Sequence, residues 1–156
     1  MVIQWKKLLI CIAIPLGVGG LSALLTAGNM ALFEEVNKPP LSPPGWLFPV
    51  VWTILYILMG IALYIVITHK EHKRIRLPVI SFGVQLFFNF FWSIIFFNMR
   101  AYLFAFIWLI LLWVAIAVNI ILFCNVDKRA GRLLIPYILW VTFAGYLNLG
   151  IYILNP

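Results

Sequence analysis

Polar and apolar positions along this chain fall into blocks. Charged residues cluster, and between the clusters run five uncharged stretches: Leu8 to Phe33, Pro39 to His69, Leu77 to Met99, Ala101 to Val126 and Leu133 to Pro156. A helix rises about 1.5 Å per residue, so about 20 apolar residues cross the roughly 30 Å of hydrocarbon in a bilayer. Each stretch is longer than that. The pattern predicts one domain over residues 1–156: an all-α integral membrane bundle of five transmembrane helices, at about 5–26, 45–69, 77–97, 101–124 and 131–154, with a long loop at about 27–44. Barrel strands would show segments of about 10 residues with alternating polarity, and the chain has none. The first stretch exceeds a signal-peptide core, and Gly28-Asn29 lacks a small-residue cleavage pattern, so it reads as a helix and not as a leader.

Composition agrees with the blocks. Hydrophobic residues make up 65% of the chain and charged residues 10%, which excludes an ordinary soluble domain. The net charge of +7 would suit nucleic acid, but its placement argues for topology instead, and no nucleic-acid partner is expected. With five spans, Lys6, Lys7, Lys70, Lys73, Arg74, Arg76, Lys128, Arg129 and Arg132 share one side, while only Lys38 and Arg100 lie on the other. That bias places the N-terminus in the cytoplasm and the long loop and C-terminus outside. The same cations can touch anionic membrane lipid, although orientation alone accounts for them. Cys11 and Cys124 lack CxxC spacing and imply no disulfide framework.

Local signals refine the spans. Small residues at four-residue spacing on the first helix (Ala13 with Gly17, Gly19 with Ala23, Ser22 with Thr26) suit close helix packing in lipid. The loop ends in KPPLSPPGWLFPVVW, Lys38 to Trp52, which holds five of the nine prolines. Ser42 is the expected N-cap of the second helix, Pro43 and Pro44 suit its first turn, and Pro49 inside it should bend it. Asn98-Met99-Arg100 reads as a tight outer turn, and Pro136 falls early in the fifth helix.

Candidate chemistry is sparse. No Asp or Glu lies within a span, and both histidines, His69 and His72, fall at the cytoplasmic end of the second helix. A carboxylate or histidine proton relay is therefore unsupported, and no metal site is expected. The spans are instead rich in rings: the chain has seven Trp, six Tyr and thirteen Phe. Trp5 and Trp46 sit where interfacial belts form, whereas Trp52 and Trp140 lie well inside their runs. Trp52, Tyr56 and Gly60 share one helical face, as do Gln85, Asn89, Trp92 and Ser93. Tyr137, Trp140, Ala144 and Asn148 form a third stripe. Amides facing lipid would be unpaired, so Gln85 and Asn89 must point inward, either as glue between helices or toward a ligand. If the stripes converge, they enclose a pocket with flat aromatic walls and few polar points, suited to a planar apolar ligand.

Three segments carry a resemblance. KPPLSPPGWLFPVVWTILYILMG, QLFFNFFWSIIFF and LLIPYILWVTFAGYLNLGIYILN resemble, in order and spacing, the TspO/MBR family of tryptophan-rich sensory proteins and translocator proteins, whose animal members are also known as peripheral benzodiazepine receptors. The resemblance implies a bacterial cell-membrane protein, usually a homodimer. It implies binding of porphyrins such as protoporphyrin IX and haem, and of synthetic isoquinoline carboxamides and benzodiazepines. It makes the loop a lid over the outer mouth of the pocket, with Pro43 and Pro44 stiffening it. Pocket positions carried over are Trp52, Asn89, Trp92, Tyr137, Trp140 and Asn148. Some bacterial relatives degrade protoporphyrin with light and oxygen, which would make Trp52 and Trp140 catalytic; porphyrin would then be substrate, with no cofactor required. A scaffold subunit whose rings only pack helices is the remaining alternative. The sterol pattern of animal members is incomplete, because no basic residue follows Val141 and Tyr146.

Overall fold

The computed structural model describes residues 2–70 and 75–156, so His72, Lys73 and Arg74 lie outside the described residues. Helices run as α1 Trp5–Thr26, α2 Met30–Glu35, α3 Leu47–Ile67, α4 Arg76–Ser93, α5 Tyr102–Val126, α6 Lys128–Leu133 and α7 Ile135–Leu154. Five helical stretches are long and apolar enough to cross a membrane: Trp5–Glu35, Leu47–Ile67, Arg76–Asn98, Tyr102–Val126 and Lys128–Leu154. No strand occurs among the described residues. The five-span, all-α expectation is met.

Around the bundle, α1 packs on α3 and α4, and α5 packs on α4 and α7. The α1–α3 contact is close for a reason written in the sequence. Pro15 lacks the N–H that the Cys11 carbonyl would accept in a regular helix. Gly60 approaches that carbonyl: a Cβ there would lie 2.8 Å from the Cys11 oxygen and would overlap the Ile12 backbone. Gly17, expected in such packing, has open space beside it.

Several local expectations are corrected. The long loop is partly helical: a 3-10 turn at Ala27–Asn29 continues α1 into α2. The second span begins at Leu47, later than expected. Ser42 does not cap it, because its hydroxyl donates to the Pro39 carbonyl at 2.7 Å within the loop. Pro43 and Pro44 precede the helix. Pro49 is the third residue of α3, where an N–H has no intrahelical acceptor, so it costs no hydrogen bond and need not bend the helix. The third span is not uniformly α-helical, since Ile94–Asn98 forms a π-turn before the outer turn at Arg100, whose φ is 49°. The fifth span is broken at Leu134 into α6 and α7, with Pro136 in the first turn of α7.

Candidate functional site

The inward stripes of α3, α4 and α7 converge. Their polar groups form one buried chain: the Tyr56 hydroxyl donates to Asn89 Oδ1 at 2.8 Å, Asn89 Nδ2 donates to the Tyr137 oxygen at 2.8 Å, and the Tyr137 hydroxyl donates to Gln85 Oε1 at 2.7 Å. Gln85 Nε2 ends the chain on the Met59 sulfur at 3.9 Å. Away from water, an unpaired amide or hydroxyl costs several kcal/mol, so the chain ties three helices together. Gln85, Asn89 and Tyr137 are therefore engaged as interhelical glue beneath the cavity and do not line it.

Above this floor lies a partly enclosed cavity of about 160 Å³. Of the residues on the three stripes singled out from sequence, Trp52, Tyr56, Trp92, Ser93, Trp140, Ala144 and Asn148 line it. Trp52 stacks on Tyr56 at 5.5 Å between centroids and meets Tyr137 edge-on at 6.2 Å. Trp92 stacks on Phe96 at 5.2 Å. Its indole N–H is spent on Asn148 Oδ1 at 3.1 Å, and Asn148 Nδ2 donates to the Tyr102 carbonyl at 2.8 Å. Trp140, packed edge-on against Phe48 at 5.8 Å, differs: its Nε1 is buried and has no hydrogen-bond partner. Pro43 and Pro44 lie in the lid segment outside the lining.

Other walls come from residues that the sequence marked only for helix packing, or not at all. Gly19, Ser22, Ala23 and Thr26 of α1 form one side, and Met30 and Phe33 of α2 form the roof. Gly19 is required by the Tyr56 ring, into which a Cβ would project. The π-turn carries one residue more than an α-turn, and Phe96 and Phe97, adjacent in sequence, both line the cavity. Phe33 packs on both, at 6.1 and 5.6 Å. The lid is fastened at both ends. Asn29 Nδ2 donates to Asn98 Oδ1 at 2.6 Å. Asn37 N donates to Asn155 Oδ1 at 3.1 Å, and Asn155 Nδ2 donates back to the Asn37 carbonyl at 2.8 Å. The Tyr146 hydroxyl holds the Pro40 carbonyl at 2.7 Å, and Pro39 packs on Gly150.

The fold and the site together define a class, helical membrane bundles with a covered, tryptophan-walled cavity. Comparison with known proteins narrows it: residues 11–154 match the TspO/MBR family, and the chain belongs to that family. It is 40% identical over 155 residues to the tryptophan-rich protein TspO of Chlorobaculum tepidum, covering 98% of each chain. It is 34% identical over 116 residues to the tryptophan-rich sensory protein of Cereibacter sphaeroides, covering 74% of this chain and 72% of that one. With the human translocator protein, identity is 33% over 120 residues, or 74% and 70% of the two chains. The chain is thus an integral membrane protein, and family membership supports a sensor or receptor role.

Proposed function

We propose that this protein is a membrane receptor whose pocket takes up planar, largely apolar ligands of the tetrapyrrole class, protoporphyrin IX and haem among them. The observation that carries the reading is Trp140. Its indole N–H is a buried donor without an acceptor, on a residue of a wall made mainly of rings, aliphatic side chains and small residues. A buried donor left unmade costs about 1–3 kcal/mol; its nitrogen has almost no accessible surface, so an uncharged ligand oxygen recovers that cost once the Trp140 ring turns toward the cavity. Trp52 and Trp92 offer flat faces for stacking. Synthetic isoquinoline carboxamides and benzodiazepines, which carry a carbonyl beside fused rings, suit the same arrangement. In this reading the N-terminus is cytoplasmic, the lid faces outward from the cell membrane, and the protein works as a homodimer, with translocation of ligand as an extension of binding.

The test is a dark titration of the purified protein with protoporphyrin IX, followed by porphyrin absorbance, for wild type, Trp52→Phe and Trp140→Phe. Saturable micromolar binding, weakened about 5- to 100-fold by removal of the Trp140 N–H, is the expected result. Absence of saturable binding would leave the rings as packing alone and favour a scaffold. Illumination then separates receptor from enzyme: a new bound product that needs Trp52 and Trp140 would assign photo-oxidative degradation.

A further inference from the structure

The described residues that line the cavity include no Lys, Arg, His, Asp or Glu. An ionised group placed among them would be desolvated without compensation, so a ligand with an anionic end must leave that end at an edge where a cation waits. One such edge exists. Phe33 roofs the cavity, and the Lys38 ammonium sits over the same ring, 5.0 Å from its centroid. Lys38 is partly buried, and its ammonium donates to the Glu34 backbone carbonyl at 3.1 Å. Three N–H groups are available on an ammonium. Among the described residues no carboxylate pairs with it: the Glu34 side chain lies beside Gly45, and the ion pair of Arg129 with Asp127 belongs to the opposite end of the bundle.

We infer that Lys38 recognises a carboxylate on the ligand. Resting on the receptor reading above, this narrows the ligand class to an amphiphile: a flat apolar body seated against the tryptophans, with an anionic end that emerges past Phe33 beneath the lid. A lysine suits the task because its charge is compact and its stem flexible, so the ammonium can turn from the Glu34 carbonyl to the ligand. The lid then closes by charge on the correct ligand as well as by packing.

Protein in nanodiscs of neutral phosphatidylcholine is titrated in the dark with protoporphyrin IX and with its dimethyl ester, for wild type, Lys38→Gln and Lys38→Arg. Wild type is expected to bind the diacid about tenfold more tightly than the ester, with the preference shrinking as salt rises. Lys38→Gln brings the two affinities together by weakening only the diacid, and Lys38→Arg keeps the preference. Partitioning of the two probes into lipid is common to all variants, so it cancels in this comparison. An unchanged preference in Lys38→Gln, or equal loss for both probes, overturns the inference, the second outcome meaning that the lysine serves only the lid. Saturable binding without any preference in wild type also overturns it while leaving the receptor reading intact. If neither probe binds, the receptor reading falls first.

Discussion

Asn89 shows how much one side chain can hold in a medium without water. It accepts from Tyr56 and donates to Tyr137, so Asn89→Leu would strand the Tyr56 hydroxyl, which is expected to cost about 1–3 kcal/mol and to lower the midpoint of thermal unfolding in detergent. Gly60→Ala acts through the backbone instead. The added Cβ overlaps Ile12, and the forced separation of α1 and α3 is expected to cost a similar 1–3 kcal/mol, again read by thermal unfolding. These residues differ in legibility. Gln85 and Asn89 are conspicuous in an apolar run, and their inward direction follows from the cost of an unpaired amide. Their roles do not follow, because glue and ligand contact demand the same orientation. Phe48, Phe96 and Phe97 are silent in the sequence, since a phenylalanine facing a cavity and one facing lipid satisfy the same hydropathy.

Among the elements, the five spans were plain from the chain because hydrocarbon thickness fixes their length. Their ends were not, because proline placement depends on which N–H groups are already idle: Pro49 sits harmlessly in a first turn, while Pro136 opens α7 after a break. The π-turn was invisible too, since one extra residue leaves hydropathy unchanged. Deleting one residue within Ile94–Asn98 is expected to restore α geometry, turn Phe97 away from the cavity and weaken porphyrin binding, measurable by the same dark titration. At the other end, α6 depends on Asp127, which accepts from the Arg129 backbone N–H at 2.8 Å and from its guanidinium at 2.9 Å. That guanidinium hydrogen bond, foremost, holds the Asp127 carboxyl below its ordinary value. With the native value depressed, the stabilisation is complete above the ordinary carboxylate range near pH 4 and is lost as pH falls through the native value. Asp127→Asn keeps the cap but should abolish this acid-limb dependence of unfolding, whereas Asp127→Ala should also cost about 1 kcal/mol of cap.

The whole molecule is polar in the electrical sense. Its cations gather at the end that carries Lys6, Arg76 and Arg132, and the lid lies at the other end. The proposed orientation is checked by cysteine labelling in a background lacking Cys11 and Cys124. Leu41→Cys, at a position 83% exposed, should react with an impermeant maleimide on intact cells, and Arg132→Cys only after permeabilisation; the reverse pattern would invert the topology. Sequence sufficed for this charge map because it needs only the order of charges and spans. The lid fastening needed coordinates, since Asn37 and Asn155 stand 118 positions apart. That clasp has a practical consequence for anyone handling the protein. Asn155 lies just past the end of α7 and holds Asn37, so an affinity tag or fluorescent reporter inserted beside it would hang directly on the lid's fastening. Such a fusion would be expected to speed ligand exchange and to report an altered affinity, whereas the same tag ahead of Trp5, across the bilayer from the cavity mouth, would leave the pocket as the cell uses it.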